Sequence, residues 1–115
     1  MVEIKEIFKV GKRTCVVVGM ASVSSYLKPY HNGYVSTLKK NNNKSYSDDD
    51  IAVQTDELTY SGTLDSLKDK RIPKLWFFGF DSAHYWNDQN PASKTFESVK
   101  QRTTELAKEM IKKKI

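Results

Sequence analysis

The sequence has few cysteines and no long hydrophobic run, the features that stabilise small secreted domains and anchor proteins in membranes. Cys15 is the single cysteine, so an intrachain disulfide is excluded and a reducing compartment is expected. The longest apolar stretches, residues 15–21 and 75–80, are far shorter than the roughly 20 residues needed to cross a bilayer. Residues 1–10 alternate charge and apolarity and lack the continuous apolar region of a signal peptide. These absences predict a cytoplasmic protein that does not insert into a membrane.

The sequence also lacks the short motifs that identify common enzyme classes. No P-loop, GxGxxG or GxSxG pattern is present. His31, His84 and Cys15 do not show the HxH, HExxH or CxxC spacing of metal ligands, so neither a metal nor another cofactor is expected. Cys15 lies in an apolar stretch and is interpreted as a small hydrophobic residue rather than a nucleophile.

The net charge of +5 is less informative than it first suggests. Lys112, Lys113 and Lys114 supply three of these charges, and cations in a last helical turn complement the helix dipole. Basic residues are not concentrated on one face elsewhere, which argues against nucleic acid as a partner. A modest positive field still attracts small anionic ligands.

Length and hydrophobic patterning predict one α+β domain over residues 1–115. Residues 2–10 fit an edge strand or a short helix, and residues 14–20 form a β-branched, nearly unbroken run typical of a buried strand. Residues 74–80 are the second strongly apolar strand and are expected at the sheet centre. At the C-terminal end, apolar residues recur at helical spacing from Phe96 to Ile111. The expected architecture is an antiparallel sheet of about four to six strands packed by this amphipathic helix.

Weaker signals complete the predicted topology. The Asn32-Gly33 dipeptide indicates a tight turn, because these residues adopt positive φ at low cost. Residues 39–50 are polar and asparagine-rich, which favours a surface loop. Residues 51–55 and 57–61 are expected to be two short strands, or one strand with a bulge.

The stretch "GFDSAH" (residues 79–84) contains the first candidate site. Asp81 and His84 follow an apolar strand whose packed neighbours would hold them rigidly, and the carboxylate could orient the imidazole. His31 and the carboxylates of residues 48–50 are further candidates to converge there. If the site were catalytic, Asp81, His84 and His31 would carry the acid–base chemistry. The alternative is structural: Asp81 caps a turn and His84 is a simple hydrogen-bonding residue.

The stretch "LTYSG" (residues 58–62) contains the second candidate site. Strand alternation would place Thr59 and Ser61 on one face and Tyr60 on the other, and hydroxyls followed by glycine suit a phosphate or ribose. The alternative is a half-exposed strand that ends in a turn. Several aromatic side chains are candidates to stack on a planar ligand; they are Tyr30, Tyr34, Tyr60, Trp76 and Tyr85.

Four segments in this order resemble a family of small bacteriophage and prophage proteins. They are "NGYV" (32–35), "YSDDDIAV" (46–53), "LTYSG" (58–62) and "WFFGFDSAH" (76–84). Members of that family share a glycine-tyrosine-valine element, an LTYSG element and a WWFGFDxAH element, and the resemblance covers roughly residues 14–110. This chain departs from the pattern at Ser82, where the family commonly has cysteine, and at residues 85–90, "YWNDQN". These departures argue against a thiol role.

The resemblance implies a phage accessory protein that acts in the host bacterial cytoplasm, in counter-defence. It further implies a homo-oligomer that sequesters a small anionic, nucleotide-derived signal without turning it over. The expected ligand-binding residues are Tyr34, Thr59, Tyr60, Ser61, Trp76, Asp81 and His84. Two alternatives stay open. One is a small hydrolase with His84 as base and Asp81 orienting it, and the other is a module that inhibits a host defence protein by direct contact.

Overall fold

A computed structural model describes residues 2–20 and 29–115 of the chain. Its strands are β1 (Val2–Val10), β2 (Arg13–Met20), β3 (Tyr30–Ser36), β4 (Tyr60–Gly62) and β5 (Phe77–Asp81), and its helices are α1 (Tyr85–Gln89) and α2 (Phe96–Lys113). The strands form one antiparallel sheet in the order β1-β2-β3-β5-β4, with α2 packed against β2 and β3. The predicted α+β class with four to six strands is therefore confirmed. No helix in residues 2–20 and 29–115 is long and apolar enough to cross a membrane.

Both faces of the sheet are covered, which explains the unbroken apolar run of β2. Cys15 and Val17 belong to the core beneath α2, whereas Val16 and Val18 belong to a second core on the opposite face. Because successive side chains of a strand point to opposite faces, a strand buried on both sides needs apolar residues at every position. The second core is completed by residues of the connection between β4 and β5; they include Leu64 and Ile72.

Helix α2 covers the whole stretch in which the sequence shows apolar residues at helical spacing. Thr95 is the N-cap, and its Oγ1 accepts a hydrogen bond from the Ser98 backbone N–H at 3.2 Å. The buried stripe contains Val99, Thr103, Leu106, Ala107 and Met110. Ile111, which was expected on the apolar face, lies at its margin with 41% of its surface exposed.

The tight turn predicted at Asn32-Gly33 is wrong, because both residues lie inside β3. Gly33 pairs with Val17 on one side and Phe80 on the other, and its φ is not positive. A Cβ atom at position 33 would overlap Thr103 Oγ1 and lie 2.8 Å from Phe80 Cε1. Glycine is therefore required here for the close approach of α2 to the sheet, not for a turn conformation.

Two further strand predictions need correction. Residues 51–55 are not a strand, and of residues 57–61 only Tyr60 and Ser61 belong to β4. The Gln54 and Thr55 backbone N–H groups instead donate to the Glu109 carboxylate of α2 at 2.7 and 2.9 Å. Strand β5 is not at the sheet centre, which β3 occupies; β5 lies between β3 and the short edge strand β4.

Candidate functional site

Asp81 is the last residue of β5, and two neutral donors hold its carboxylate. It pairs across the sheet with Asn32 of β3. Asp81 Oδ2 accepts a hydrogen bond from Thr59 Oγ1 at 3.0 Å, and Oδ1 accepts one from the Ala83 backbone N–H at 2.9 Å. The strand end and these two bonds together define the direction of the carboxylate.

His84 lies directly beside this carboxylate. It is the residue that precedes α1, and its backbone N–H donates to Asn87 Oδ1 at 3.0 Å, which ties the turn to the helix. His84 Nε2 lies 3.5 Å from Asp81 Oδ1, a separation longer than that of a hydrogen bond between these groups. The two side chains are 31% and 28% exposed, so this pair reaches the surface.

A second charged pair, between Asp56 and Arg102, lies deeper in the protein. Arg102 Nη1 is 3.1 Å from Asp56 Oδ1, and Arg102 Nη2 donates to the Ser93 carbonyl at 2.9 Å. The Asp56 side chain is only 10% exposed and that of Arg102 19%. Burial raises the pKa of the Asp56 carboxyl, and the nearby Arg102 guanidinium offsets part of that rise. Arg102 connects the two pairs, because it lies against Phe80, the residue before Asp81 on β5.

Two aromatic rings flank the Arg102 guanidinium. Its Cζ atom lies 5.2 Å from the centroid of Phe80, on β5, and 5.6 Å from the centroid of Trp86, on α1. Trp86 is nevertheless 48% exposed, and the neighbouring Tyr85 is 79% exposed. The first turn of α1 therefore presents aromatic surface to solvent next to the charged groups.

Four residues around Asp81 share an unusual property. We refer to them, Asn32, Asp56, His84 and Arg102, together with Asp81, whose two oxygens are both bonded, as the Asp81 cluster. In the part of the chain that the structure describes, four buried side-chain polar atoms lack a hydrogen-bond partner: Asn32 Oδ1, Asp56 Oδ2, His84 Nε2 and Arg102 Nε. All four belong to this cluster. Buried polar atoms in native proteins are normally paired, and leaving one unpaired costs about 1–3 kcal/mol. The end of β5 thus carries unused hydrogen-bonding capacity.

Tyr34 and Tyr60 lie next to the cluster on the sheet. Asn32 Nδ2 donates to the Tyr34 hydroxyl at 3.3 Å, and burial raises the pKa of that phenol. The two tyrosine rings contact edge to face, with centroids 5.2 Å apart. The Tyr60 hydroxyl is bonded to the Thr63 carbonyl. Of the two phenols, the one of Tyr34 is therefore connected to the cluster.

The structure places the other predicted site residues elsewhere. Trp76 precedes β5, so that it lies at the opposite end of the strand from Asp81, and its indole N–H donates to the Lys44 carbonyl at 2.9 Å. Ser61 pairs with Phe78 at the middle of β5. Of the expected ligand-binding residues, Thr59, Asp81 and His84 are in direct contact, and Tyr34 lies one bonded neighbour away through Asn32.

His31 and the acidic loop do not join the cluster either. His31 Nδ1 lies 2.7 Å from the Lys94 carbonyl oxygen, and its ring meets that of Phe96 edge to face on the α2 side of the sheet. Asp50 forms an ion pair with Lys44 within its own loop. His31 is thus a structural link between β3 and the segment preceding α2.

Sequence reasoning missed Asn32, Asp56, Arg102 and Trp86 as members of the site. Asn32 was interpreted as a turn residue, and Asp56 as a connection between strands. The ion pair between Asp56 and Arg102 joins residues that are 46 positions apart. No local pattern indicates such a pair. The one available signal is that Arg102 is the single arginine of the amphipathic helix.

Neither the Ser82 hydroxyl nor the Cys15 thiol is available as a nucleophile. Ser82 is fully buried; its Oγ donates to the His31 carbonyl at 2.7 Å and accepts from the His31 N–H at 3.0 Å. Burial raises the pKa of the Cys15 thiol to about 12. Within residues 2–20 and 29–115, no group of three or more His, Cys, Asp or Glu side chains is arranged to hold a metal ion.

The inner side of the cluster approaches a surface cleft. Asp56 lines a depression of about 220 Å³ together with residues of the segment that precedes β4; they include Tyr46, Ile51, Val53 and Leu58. Of the cluster residues, Asp56 lines this depression, whereas Asp81 and His84 reach the surface outside it. Comparison with protein-family models, with curated proteins and with solved structures found no match to this chain.

Proposed function

We propose that this protein binds a small nucleotide-like ligand at the Asp81 cluster and holds it without chemical turnover. One observation carries the proposal: the unpartnered buried polar atoms of the described chain belong to residues grouped around the end of β5. Asn32 pairs with Asp81, His84 lies 3.5 Å from Asp81, and Arg102, which bonds to Asp56, lies against Phe80. A bound ligand that supplies the missing partners would remove the cost of leaving these atoms unpaired. The exposed rings of Tyr85 and Trp86 beside them suit a planar ligand.

The proposal includes a biological setting that comes from the sequence resemblance. A phage accessory protein that captures a nucleotide-derived defence signal needs affinity, not catalysis. Such a protein would act in the bacterial cytoplasm, in counter-defence, as a homo-oligomer. The net charge of +5 favours the approach of an anionic ligand from a distance.

Binding without turnover agrees with the chemistry of the site. Nucleophilic catalysis requires an activated hydroxyl or thiol beside a base. Ser82 Oγ is bonded to His31 at both its donor and acceptor positions, and Cys15 belongs to the core beneath α2. A specific observation does support hydrolysis as a second candidate, because His84 Nε2 and Asp81 Oδ1 are only 3.5 Å apart. In that case His84 would activate a water molecule as general base, oriented by Asp81.

The two functions are distinguished by what the protein releases. Purified protein is incubated with a panel of cyclic dinucleotides and nucleoside phosphates, separated from free ligand, and denatured by heat. Chromatography of the supernatant then shows whether a retained compound is intact. Capture predicts intact compound at a molar ratio near that of the binding sites, and hydrolysis predicts its breakdown products.

Variants assign the activity to the cluster. Asp81→Asn and His84→Ala are expected to weaken retention at least tenfold, because His84 carries an unpaired nitrogen and Asp81 presents its carboxylate 3.5 Å from it. Asp49→Asn, which makes the same chemical change in an exposed loop, is the matched control and should retain ligand like the wild type. Retention that is unchanged in both cluster variants would disprove the assignment of the site. If no compound is retained at all, contact with a host protein becomes the better explanation.

A further inference from the structure

We infer that the ligand enters the Asp81 cluster with an N–H-bearing heterocyclic edge, such as that of a nucleobase, and leaves its phosphates in solvent. This inference rests on the proposed function and deepens it, since it names which end of the ligand is recognised. Sequence reasoning had assigned the phosphate or ribose to the hydroxyls of Thr59 and Ser61. The geometry of the cluster points to the opposite orientation.

The charges of the cluster are unfavourable for a phosphate. Asp56 and Asp81 supply two carboxylates against one permanent cation, Arg102. The guanidinium already bonds to Asp56 Oδ1 and the Ser93 carbonyl, so two of its nitrogens are engaged. The Thr59 hydroxyl, the hydroxyl best placed to meet a phosphate, donates instead to Asp81. Only Nε of Arg102 is unpaired, so a phosphate here would approach a carboxylate at short range beside a cation that is already paired with Asp56.

The same groups suit a ligand that donates hydrogen bonds. An ionised carboxylate is acceptor-only, and the buried Oδ2 of Asp56 has no donor. Asp81 Oδ1 faces His84 at 3.5 Å and receives one backbone N–H, which leaves acceptor capacity on its exposed side. Neighbouring amino and imino groups on one heterocyclic edge donate two parallel hydrogen bonds, and the two oxygens of a carboxylate can accept such a pair. The unpaired Arg102 Nε is a donor beside these acceptors. The cluster therefore matches a base edge, which carries both donors and acceptors, better than it matches an anion, which only accepts.

The surrounding surface adds a stacking partner. Trp86 is half exposed although one side of its ring contacts the Arg102 guanidinium. A planar heterocycle whose edge reaches the pair of Arg102 and Asp56 would lie beside this indole. Base–aromatic stacking contributes about 1–3 kcal/mol per base, roughly five- to 150-fold in affinity. Removal of Trp86 is expected to weaken the binding of a base and to leave the binding of free phosphate unchanged.

The test compares fragments of one ligand on the wild-type protein by calorimetry. The probes are the four common nucleosides, their 5′-monophosphates, ribose 5-phosphate and inorganic phosphate. The inference predicts that at least one nucleoside binds within about tenfold of its monophosphate, whereas ribose 5-phosphate and phosphate bind at least a hundredfold more weakly. Equal binding of ribose 5-phosphate and the nucleotide would overturn the inference but leave the proposed function standing. If neither nucleosides nor nucleotides bind, the inference fails, and the proposed function fails as well if the retention experiment also recovers no compound.

Variants provide a second, independent measurement. Asp81→Asn should weaken the nucleoside and the nucleotide to the same extent, at least tenfold, because an amide cannot accept on both atoms. Trp86→Leu should weaken both to a similar extent, and Asp49→Asn is the matched control. If the phosphate governs binding instead, Asp81→Asn will strengthen nucleotide affinity by removing a repulsive charge, and that result would also overturn the inference. Thermal melting of each variant shows that the fold is retained.

Discussion

Replacement of Gly33 by alanine tests the closest contact between helix and sheet. Gly33 lies in β3 and faces α2, where a Cβ atom would overlap Thr103 Oγ1 and lie 2.8 and 2.9 Å from two atoms of the Phe80 ring. Thr103 is fully buried and Phe80 is 1% exposed, so neither can move aside into solvent. The added methyl group must therefore push α2 away from the sheet or displace a packed ring.

The expected loss of stability follows from two opposing terms. Overpacking of a well-packed core costs about 1–3 kcal/mol, and the upper part of this range applies where the neighbours are rigid. Replacing glycine also reduces the entropy of the unfolded chain, which returns about 0.4–1 kcal/mol. The net loss is about 2 kcal/mol. With an unfolding entropy of about 2.1 cal/mol/K per residue, this loss lowers Tm by about 8 °C in a chain of 115 residues.

Gly19→Ala is the matched control, since it also adds one methyl group to an internal strand. Its Cβ would lie 2.8 Å from Lys5 Cε, the flexible end of a side chain that can move. The control is expected to change stability by less than about 0.5 kcal/mol. Chemical denaturation and thermal melting of both variants measure the difference. Equal stability of Gly33→Ala and Gly19→Ala would refute the close packing of α2 on β3.

A double variant identifies the responsible neighbour. Thr103→Ala removes the oxygen atom that the new methyl group would overlap, together with a 2.7 Å hydrogen bond to the Val99 carbonyl. If the overlap causes the loss, Gly33→Ala should cost less in the Thr103→Ala background, with a coupling energy of about 1 kcal/mol or more. Strict additivity would instead assign the cost to the Phe80 ring.

Two further predictions follow from titratable groups. The Glu109 carboxyl is partly desolvated, which raises its pKa, but donors from Lys113, Thr55 and Gln54 prevail and lower it to about 2. Because its pKa is depressed on folding, Glu109 stabilises the fold above about pH 4.3 and loses this contribution between about pH 4.3 and 2. Glu109→Gln should therefore cost about 1–2 kcal/mol at pH 7 and converge with the wild type near pH 2 in denaturant titrations, and a pH-independent difference would contradict this. Cys15, whose burial raises its pKa to about 12, should react with an aromatic disulfide reagent only after unfolding, and rapid labelling of the native protein at pH 7 would show that the thiol is accessible.

The contrast between Asn32-Gly33 and residues 14–20 shows how far local sequence is informative. An unbroken run of β-branched residues favours one structure, a strand that is buried on both faces, and β2 is such a strand. Asn-Gly is compatible with two structures: a tight turn, or a strand against which another element packs so closely that no Cβ atom fits. Local preference favours the turn. Contact between Gly33 and Thr103 selects the second. The choice depends on a residue 70 positions away, which no local pattern contains.

The same division applies to the candidate site. Asp81 and His84 were identifiable in the sequence because they follow an apolar strand within three positions of each other, and the structure places them 3.5 Å apart. Asp56 and Arg102 were not identifiable, because their pairing requires that the segment before β4 and the helix α2 meet. Thr59 was identified for its hydroxyl, but its actual partner, Asp81, depends on β4 pairing with β5.

Sequence alone determined that a helix packs on a sheet in this protein, since hydrophobic periodicity indicates which face of each strand and helix is buried. Only the tertiary structure decided the strand order and register, because these depend on which apolar faces fit together over long separations. Strand order placed β5 beside β3, and register set Asn32 opposite Asp81. Asp56 and Arg102 join this end of the sheet only because the segment before β4 packs against α2.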